Sequence, residues 1–256
     1  MTPWEAVAVL AAGIGAGTIN TIVGSGTLLT FPVLLAVGVP PVTANVSNSL
    51  GLVPGSLSGA IGYRRELAGQ RPRLLRLGAA ALLGGLVGAV LLIVLPQGAF
   101  AAVVPALILL AVVLVVLQPR VARAVAARRA RGDSRTGHPH GSWPLLVGIF
   151  LTGVYGGYFG AAQGVLMLAL MGMLLDEDLQ RINASKNVLA LLVNGVAAVY
   201  FLFVATFDWT AVLLIAAGSV VGGQIGARVG RRLPPVAMRA IIVVVGLAAV
   251  VKLLLD

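Results

Sequence analysis

The sequence predicts an all-α polytopic membrane protein made of two inverted repeats. Three observations carry this. Apolar stretches long enough to cross a bilayer recur from Trp4 to Leu255, the same glycine and polar positions return 138 residues later, and the cations gather in three loops. Of the 256 residues, 59% are hydrophobic and 10% charged, too little polar surface to cover a soluble globule. Crossing about 30 Å of hydrocarbon takes about twenty apolar residues per helix, so a signal peptide or a single anchor does not account for the pattern. No cleavable leader and no soluble domain is expected. The absence of cysteine removes disulfides and thiolate chemistry from consideration.

Five apolar segments fill the first half: roughly Trp4 to Val23, Thr27 to Gly38, Thr43 to Gly62, Leu74 to Leu95 and Ala99 to Leu117. The second half repeats them from Trp143, Val165, Asn183, Thr210 and Val236, giving about 8–10 membrane segments in all, because the second of each five is short. A shift of 138 residues lays Gly15 on Gly153, Gly26 on Gly164, Asn45 on Asn183, Ser47 on Ser185, and Gly84, Gly85 and Gly88 on Gly222, Gly223 and Gly226. No gap is needed. Such internal duplication is the mark of many transporters. The domains follow as a first repeat at 1–118, a basic linker at 119–141 and a second repeat at 142–256.

The net charge of +10 resides in Arg64 to Arg76, in six arginines between Arg120 and Arg135, and in Arg228 to Arg239. By the positive-inside rule these loops are cytoplasmic. Nucleic acid is not the expected partner, since the cations form no face interleaved with aromatics. Five crossings, an odd number, make the second half enter from the opposite side. The third segment of half one ends at Arg64, whereas its counterpart ends at Phe207-Asp208-Trp209, without a cation. Both termini are thus expected outside the cytoplasm. Trp4, Trp143 and Trp209 sit at segment starts as interface anchors.

The interruption Gly24-Ser25-Gly26 falls inside an apolar stretch, where glycine and serine disfavour a helix. Irregular backbone at membrane depth is tolerated where protein or a wet cavity surrounds it. The first two segments then form a hairpin with Gly24, Ser25 and Gly26 at its tip, and Ala162, Gln163 and Gly164 at the tip of its twin. A half-helix starting there, capped by Ser25, offers free N–H groups and a positive dipole end to an anion. Close helix approach is the other use of these glycines.

Along the third segment, Asn45, Asn48, Ser49 and Ser56 share one helix face, with Ser47 beside them; half two repeats the pattern as Asn183, Ser185, Lys186, Asn187 and Asn194. These side chains either line a site or hold neighbouring helices. Lys186 either faces a polar interior, where it would bind an anion, or snorkels toward the cytoplasmic interface near Arg181. Tyr155, Tyr158, Gln163 and Gln224 are further possible donors. No catalytic residue, metal site or cofactor is expected. His138-Pro139-His140 lies in the basic linker with no acidic partner in a membrane segment, no histidine stands in a membrane segment to serve as a base, and no phosphate-binding loop occurs. The protein is therefore not expected to be an enzyme.

The stretches "GAGTINTIVGSGTLLTFPVLLAVGVPPVTANVSNSLGLVPGSLSGAIGYRRE", "GVYGGYFGAAQGVLMLALM" and "INASKNVLALLVN" resemble the sulfite exporter TauE/SafE family of sulfonate and sulfur-anion permeases over nearly the whole chain. The resemblance implies passage of sulfite, a sulfonate or a related organosulfur anion across the bacterial inner membrane without ATP hydrolysis. The expected function is secondary transport, as an exporter, by alternating access around a midplane site. A passive anion channel and a non-transporting membrane partner are the alternatives. Whether a proton or sodium ion is coupled, and what the oligomeric state is, stay open in the sequence.

Overall fold

The computed structural model describes residues 1–130, 141–229 and 235–255. The basic stretch 131–140, with Arg131, Arg135, His138 and His140, and residues 230–234, with Arg231 and Arg232, lie outside the described residues. Those described form ten α-helices and no strand. They are α1 (Pro3–Ile22), α2 (Thr27–Ala36), α3 (Pro41–Gly62), α4 (Arg71–Val94), α5 (Gln97–Ala130), α6 (Trp143–Tyr158), α7 (Gln163–Leu174), α8 (Leu179–Val204), α9 (Trp209–Val229) and α10 (Pro235–Leu255).

Local chemistry sets many of these starts. Thr2 and Glu5 close a capping box on α1, Asp178 caps α8 through the amides of Gln180 and Arg181, and prolines occupy the first turns of α1, α3, α4 and α6. Among the described residues, five helices are long and apolar enough to cross a membrane: Pro3–Ile22, Arg71–Val94, Gly98–Arg120, Leu179–Val204 and Trp209–Arg228. The 22-residue α3 matches them in length but carries too many amides and hydroxyls to match them in composition. At 10 and 12 residues, α2 and α7 extend about 15 and 18 Å, half a bilayer. Helix α5 continues to Ala130, well past Leu117 and into the stretch expected as linker.

The 138-residue spacing reappears in the helices. α3, α4 and α5 start at 41, 71 and 97, and α8, α9 and α10 at 179, 209 and 235. Before the breaks the register differs. The N–H groups of Val23 and Gly24 both bond to the Ile19 carbonyl, and those of Phe159 and Gly160 both bond to the Tyr155 carbonyl. Gly24 and Gly160 carry the matching left-handed φ values of 86° and 79°. The first helices thus correspond at 136 residues, and the gap-free alignment of Gly15 with Gly153 does not extend to them. Half two carries its two extra residues within α7, which has 12 residues where α2 has 10.

The halves are interlocked. α1 and α3 pack on α9, α6 and α8 pack on α4, and α3 lies against α8. The first and fourth helices meet backbone to backbone. A β-carbon on Gly222 would lie 2.0 Å from the Ile14 carbonyl oxygen, and one on Gly88 would lie 2.0 Å from that of Val154. Small residues permit this approach, so several of the first-segment glycines do serve helix contact. The hairpins open at opposite ends of α4. Hairpin one has Met1 and Gly38 beside Asp208 around a recess of about 530 Å³, next to a 450 Å³ cleft lined by Leu92 and Val204. The open end of hairpin two lies near the start of α4, where Glu177 meets Arg73.

Candidate functional site at the broken helices

The two hairpin tips touch. The Gly164 N–H donates to the Gly24 carbonyl at 3.0 Å, and a β-carbon on either glycine would come within 2.4–2.5 Å of the other's α-carbon. The tip glycines therefore serve direct contact between the halves as well as the turn.

Ser25 does not cap α2. Gly26 holds the cap position in a helical conformation with no side-chain bond, and an N-cap side chain acts only from the residue directly before the helix. The Ser25 hydroxyl is fully buried and has no hydrogen-bond partner. The start of α7 is not an open row of donors either. Its N-cap is Ala162, left-handed at φ 59°, and the amides of Gln163, Gly164, Val165 and Leu166 reach the carbonyls of Gly160, Gly24 and Ala162.

Carbonyls left free where α1 breaks are met by side chains from α8. Lys186 Nζ donates to the Asn20 carbonyl at 2.8 Å and to that of Thr21 at 3.1 Å, and Asn183 and Asn187 donate to Thr21 at 3.3 and 3.4 Å. Lys186 is 0% exposed, so it does not snorkel. Among the described residues no further acceptor meets Nζ and no carboxylate lies within ion-pair distance of it.

In the other half, Asn45 donates to the Tyr158 carbonyl at 2.9 Å, on the broken end of α6. Asn48, which stands where Lys186 does, instead bonds Thr27 and Thr30 at the start of α2. Gln163 donates to Asn194 at 2.9 Å, and Asn20 to Ser56 at 3.3 Å. The amide oxygens of Asn45, Asn183 and Gln163 and the Tyr155 hydroxyl are buried without partners.

Other expected members lie elsewhere. Ser47 accepts from the Asp208 N–H just before α9, and Ser185 donates to Gln70 just before α4. Each serine thus fixes the entrance to the other half's fourth helix. Gln224 bonds Ser58, the Tyr158 ring stands edge-on to Phe100, and Ser49 is buried on α3. Asn20, Thr27 and Thr30, which the sequence pattern does not single out, also join these hydrogen bonds. Asn20 was visible as an amide within an apolar segment.

At the Arg73 end the halves are joined by charge. Glu177 accepts from Arg73 Nη1 at 2.9 Å and from Arg181 Nε at 2.8 Å, and Arg181 also reaches the Ala68 carbonyl. Burial alone would raise the Glu177 pKa. The hydrogen bonds from Arg73 and the Asp178 amide, with the charges of Arg181 and Arg73, outweigh it and hold the carboxyl below its ordinary value.

The family model for the sulfite exporter TauE/SafE family matches residues 9–253, spanning both breaks and both polar faces. The chain belongs to the TauE/SafE family. Its similarity extends to a Haemophilus influenzae "Probable membrane transporter protein", 26% identical over 95% of this chain and 92% of the relative. A Sinorhizobium "Probable membrane transporter protein ORF9" is 27% identical over 94% and 89%, and the Escherichia coli K12 "Probable membrane transporter protein YfcA" is 26% identical over 94% and 86%. No solved structure matches. As a TauE/SafE protein with five long apolar helices, it is a multi-pass membrane transporter.

Proposed function

We propose that this TauE/SafE protein is a secondary exporter of sulfite, a sulfonate or a similar small sulfur oxyanion, working by alternating access between inverted halves. One observation carries the reading: the amino group of Lys186 is fully buried, with no carboxylate within ion-pair distance among the described residues, where the two broken hairpins meet. A buried unpaired cation costs several kcal/mol and favours an anion beside it. Ser25 has a hydroxyl to offer the same anion.

The halves are read as inverted because hairpin one opens at the end holding Asp208 and hairpin two at the end holding Arg73, with the arginine-rich end cytoplasmic. In this conformation the Gly24–Gly164 contact closes the middle and Glu177 latches the cytoplasmic end, while clefts remain at the other. Transport requires the hairpin tips to part and the latch to release. Asn183 and Asn187 share the Thr21 carbonyl with Lys186 and Gly164 packs against its side chain, and the anion is proposed to enter there, with Gly24, Gly26, Gln163 and Asn194 around it.

Sulfite flux into proteoliposomes tests the proposal, with wild type and Lys186→Gln compared at matched thermal stability. Saturable wild-type flux with sulfite counterflow, lost in the variant, supports a carrier. Flux without counterflow means a channel, no wild-type flux for any sulfur oxyanion sinks the substrate class, and an unimpaired variant removes Lys186 from the site.

A further inference from the structure

The two broken helices end alike but are not finished alike. In α1 the Ile19 carbonyl takes the two N–H groups of the turn, and the next two carbonyls, of Asn20 and Thr21, receive the ammonium of Lys186. In α6 the Tyr155 carbonyl takes the turn's two N–H groups in the same way. The next two carbonyls belong to Gly156 and Gly157, both buried, and no donor reaches them among the described residues. The residue in the lysine's place is Asn48, which is turned to Thr27 and Thr30.

Two unpartnered amide oxygens lie beside that second helix end, where the Thr27 hydroxyl and the Gln163 amide nitrogen also approach. Asn45 commits its N–H to Tyr158, so its unpartnered amide oxygen is fixed beside the end of α6. Gln163 commits its N–H to Asn194, and its unpartnered oxygen fills the place where a β-carbon on Gly156 would sit, at 2.0 Å. Asn45 and Gln163 are 1% and 3% exposed. Buried carbonyl-type oxygens without donors cost free energy unless a cation or a donor meets them, and the negative dipole end of α6 adds to that demand. Carbonyls at unwound helix ends are where secondary transporters hold sodium. The set contains no carboxylate, which suits a monovalent ion better than a divalent one.

We propose that sodium binds at the broken end of α6, on the carbonyl oxygens of Gly156 and Gly157 and the amide oxygens of Asn45 and Gln163, as the mobile counterpart of the tethered Lys186 ammonium on α1. This deepens the transport reading and rests on it for the ion's role, namely coupling; the binding itself stands apart. One half meets its broken helix end with a tethered amino group, and the other takes an ion from solution.

The test is equilibrium binding of radioactive sodium to the purified full-length protein in choline buffer without sulfite, followed by sulfite flux with sodium or choline. Wild type is expected to bind sodium saturably, and Gln163→Met to weaken binding at least tenfold. Asn48→Lys, which places an ammonium as Lys186 does, is expected to abolish binding with the thermal unfolding in choline retained. No saturable binding by wild type overturns the proposal, as does wild-type affinity in whichever variants fold, or displacement of sodium by equimolar potassium. Sodium binding with no flux of any anion leaves this site standing and sinks the transport reading. Sodium-independent flux with no sodium binding does the reverse.

Discussion

The Gly164 N–H donates to the Gly24 carbonyl at 3.0 Å, so the tip of one half is bonded directly to the tip of the other. Nothing but hydrogen fits on either α-carbon. Gly164→Ala would place its β-carbon 2.5 Å from the Gly24 α-carbon, a backbone atom that cannot rotate aside. Gly24→Ala would add about 1–2 kcal/mol of left-handed strain. Both variants are expected to unfold at lower temperature and to lose sulfite flux. Calorimetry beside flux checks this, and an active, equally stable Gly164→Ala would mean that the tips do not meet.

Ser47 and Ser185 should behave as structural residues. Replacing either with alanine is expected to cost about 1 kcal/mol, the usual net value of one hydrogen bond, and to leave the sulfite KM unchanged. Ser25→Ala is expected to raise KM with little loss of stability, since its hydroxyl has no partner among the described residues. Michaelis curves for the three variants separate the two classes.

Glu177 supplies a pH dependence with a definite sign. Its carboxyl titrates below the ordinary value of about 4.3, so its contribution is fully present above that pH and fades as the pH falls through the lowered pKa. Glu177→Gln is expected to be less stable than wild type at neutral pH, the difference closing in acid. Thermal unfolding from pH 7 to pH 3 follows it; a gap that widened in acid would contradict the assignment.

The backbone contacts between first and fourth helices predict sharply unequal effects of one methyl group. Gly88→Ala and Gly222→Ala meet carbonyl oxygens at 2.0 Å and are expected to prevent a stable fold. Gly195→Ala, in α8 with open space around it, is expected to stabilise by about 0.5–1 kcal/mol through helix propensity alone. Monodisperse yield after detergent extraction ranks the three.

Much of the architecture was legible because membrane helices must be apolar and the repeat carried paired glycines and amides. The five helices of each half, the short α2 and α7, and the breaks at Gly24 and near Gly164 all follow from composition and spacing. The two-residue offset at Gly160 did not, because glycines at 153, 156, 157 and 160 offer several alignments, and only hydrogen bonds to Ile19 and Tyr155 choose between them. Ser25 looked like a cap because it stands near a helix start, but capping depends on the exact cap position, and Gly26 occupies it. The partners of Ser47 and Ser185 were hidden for another reason. Asp208 and Gln70 lie more than a hundred residues away in sequence, and periodicity along one helix does not reveal what another brings to it.

The exchange of first and fourth helices also sets a timetable for biosynthesis. Helix α1 emerges first, yet its Gly13 and Gly17 pack against α9, which ends at Val229. At about 5–20 residues per second, α1 waits about 10 to 40 s in the bilayer before its partner is made. For most of that interval, until α8 is made, Asn20 and the loose carbonyls of its C-terminal turn are without Lys186. A nascent chain of this protein therefore spends most of its synthesis as an open assembly, and whatever shelters α1 during that wait governs the yield of folded transporter.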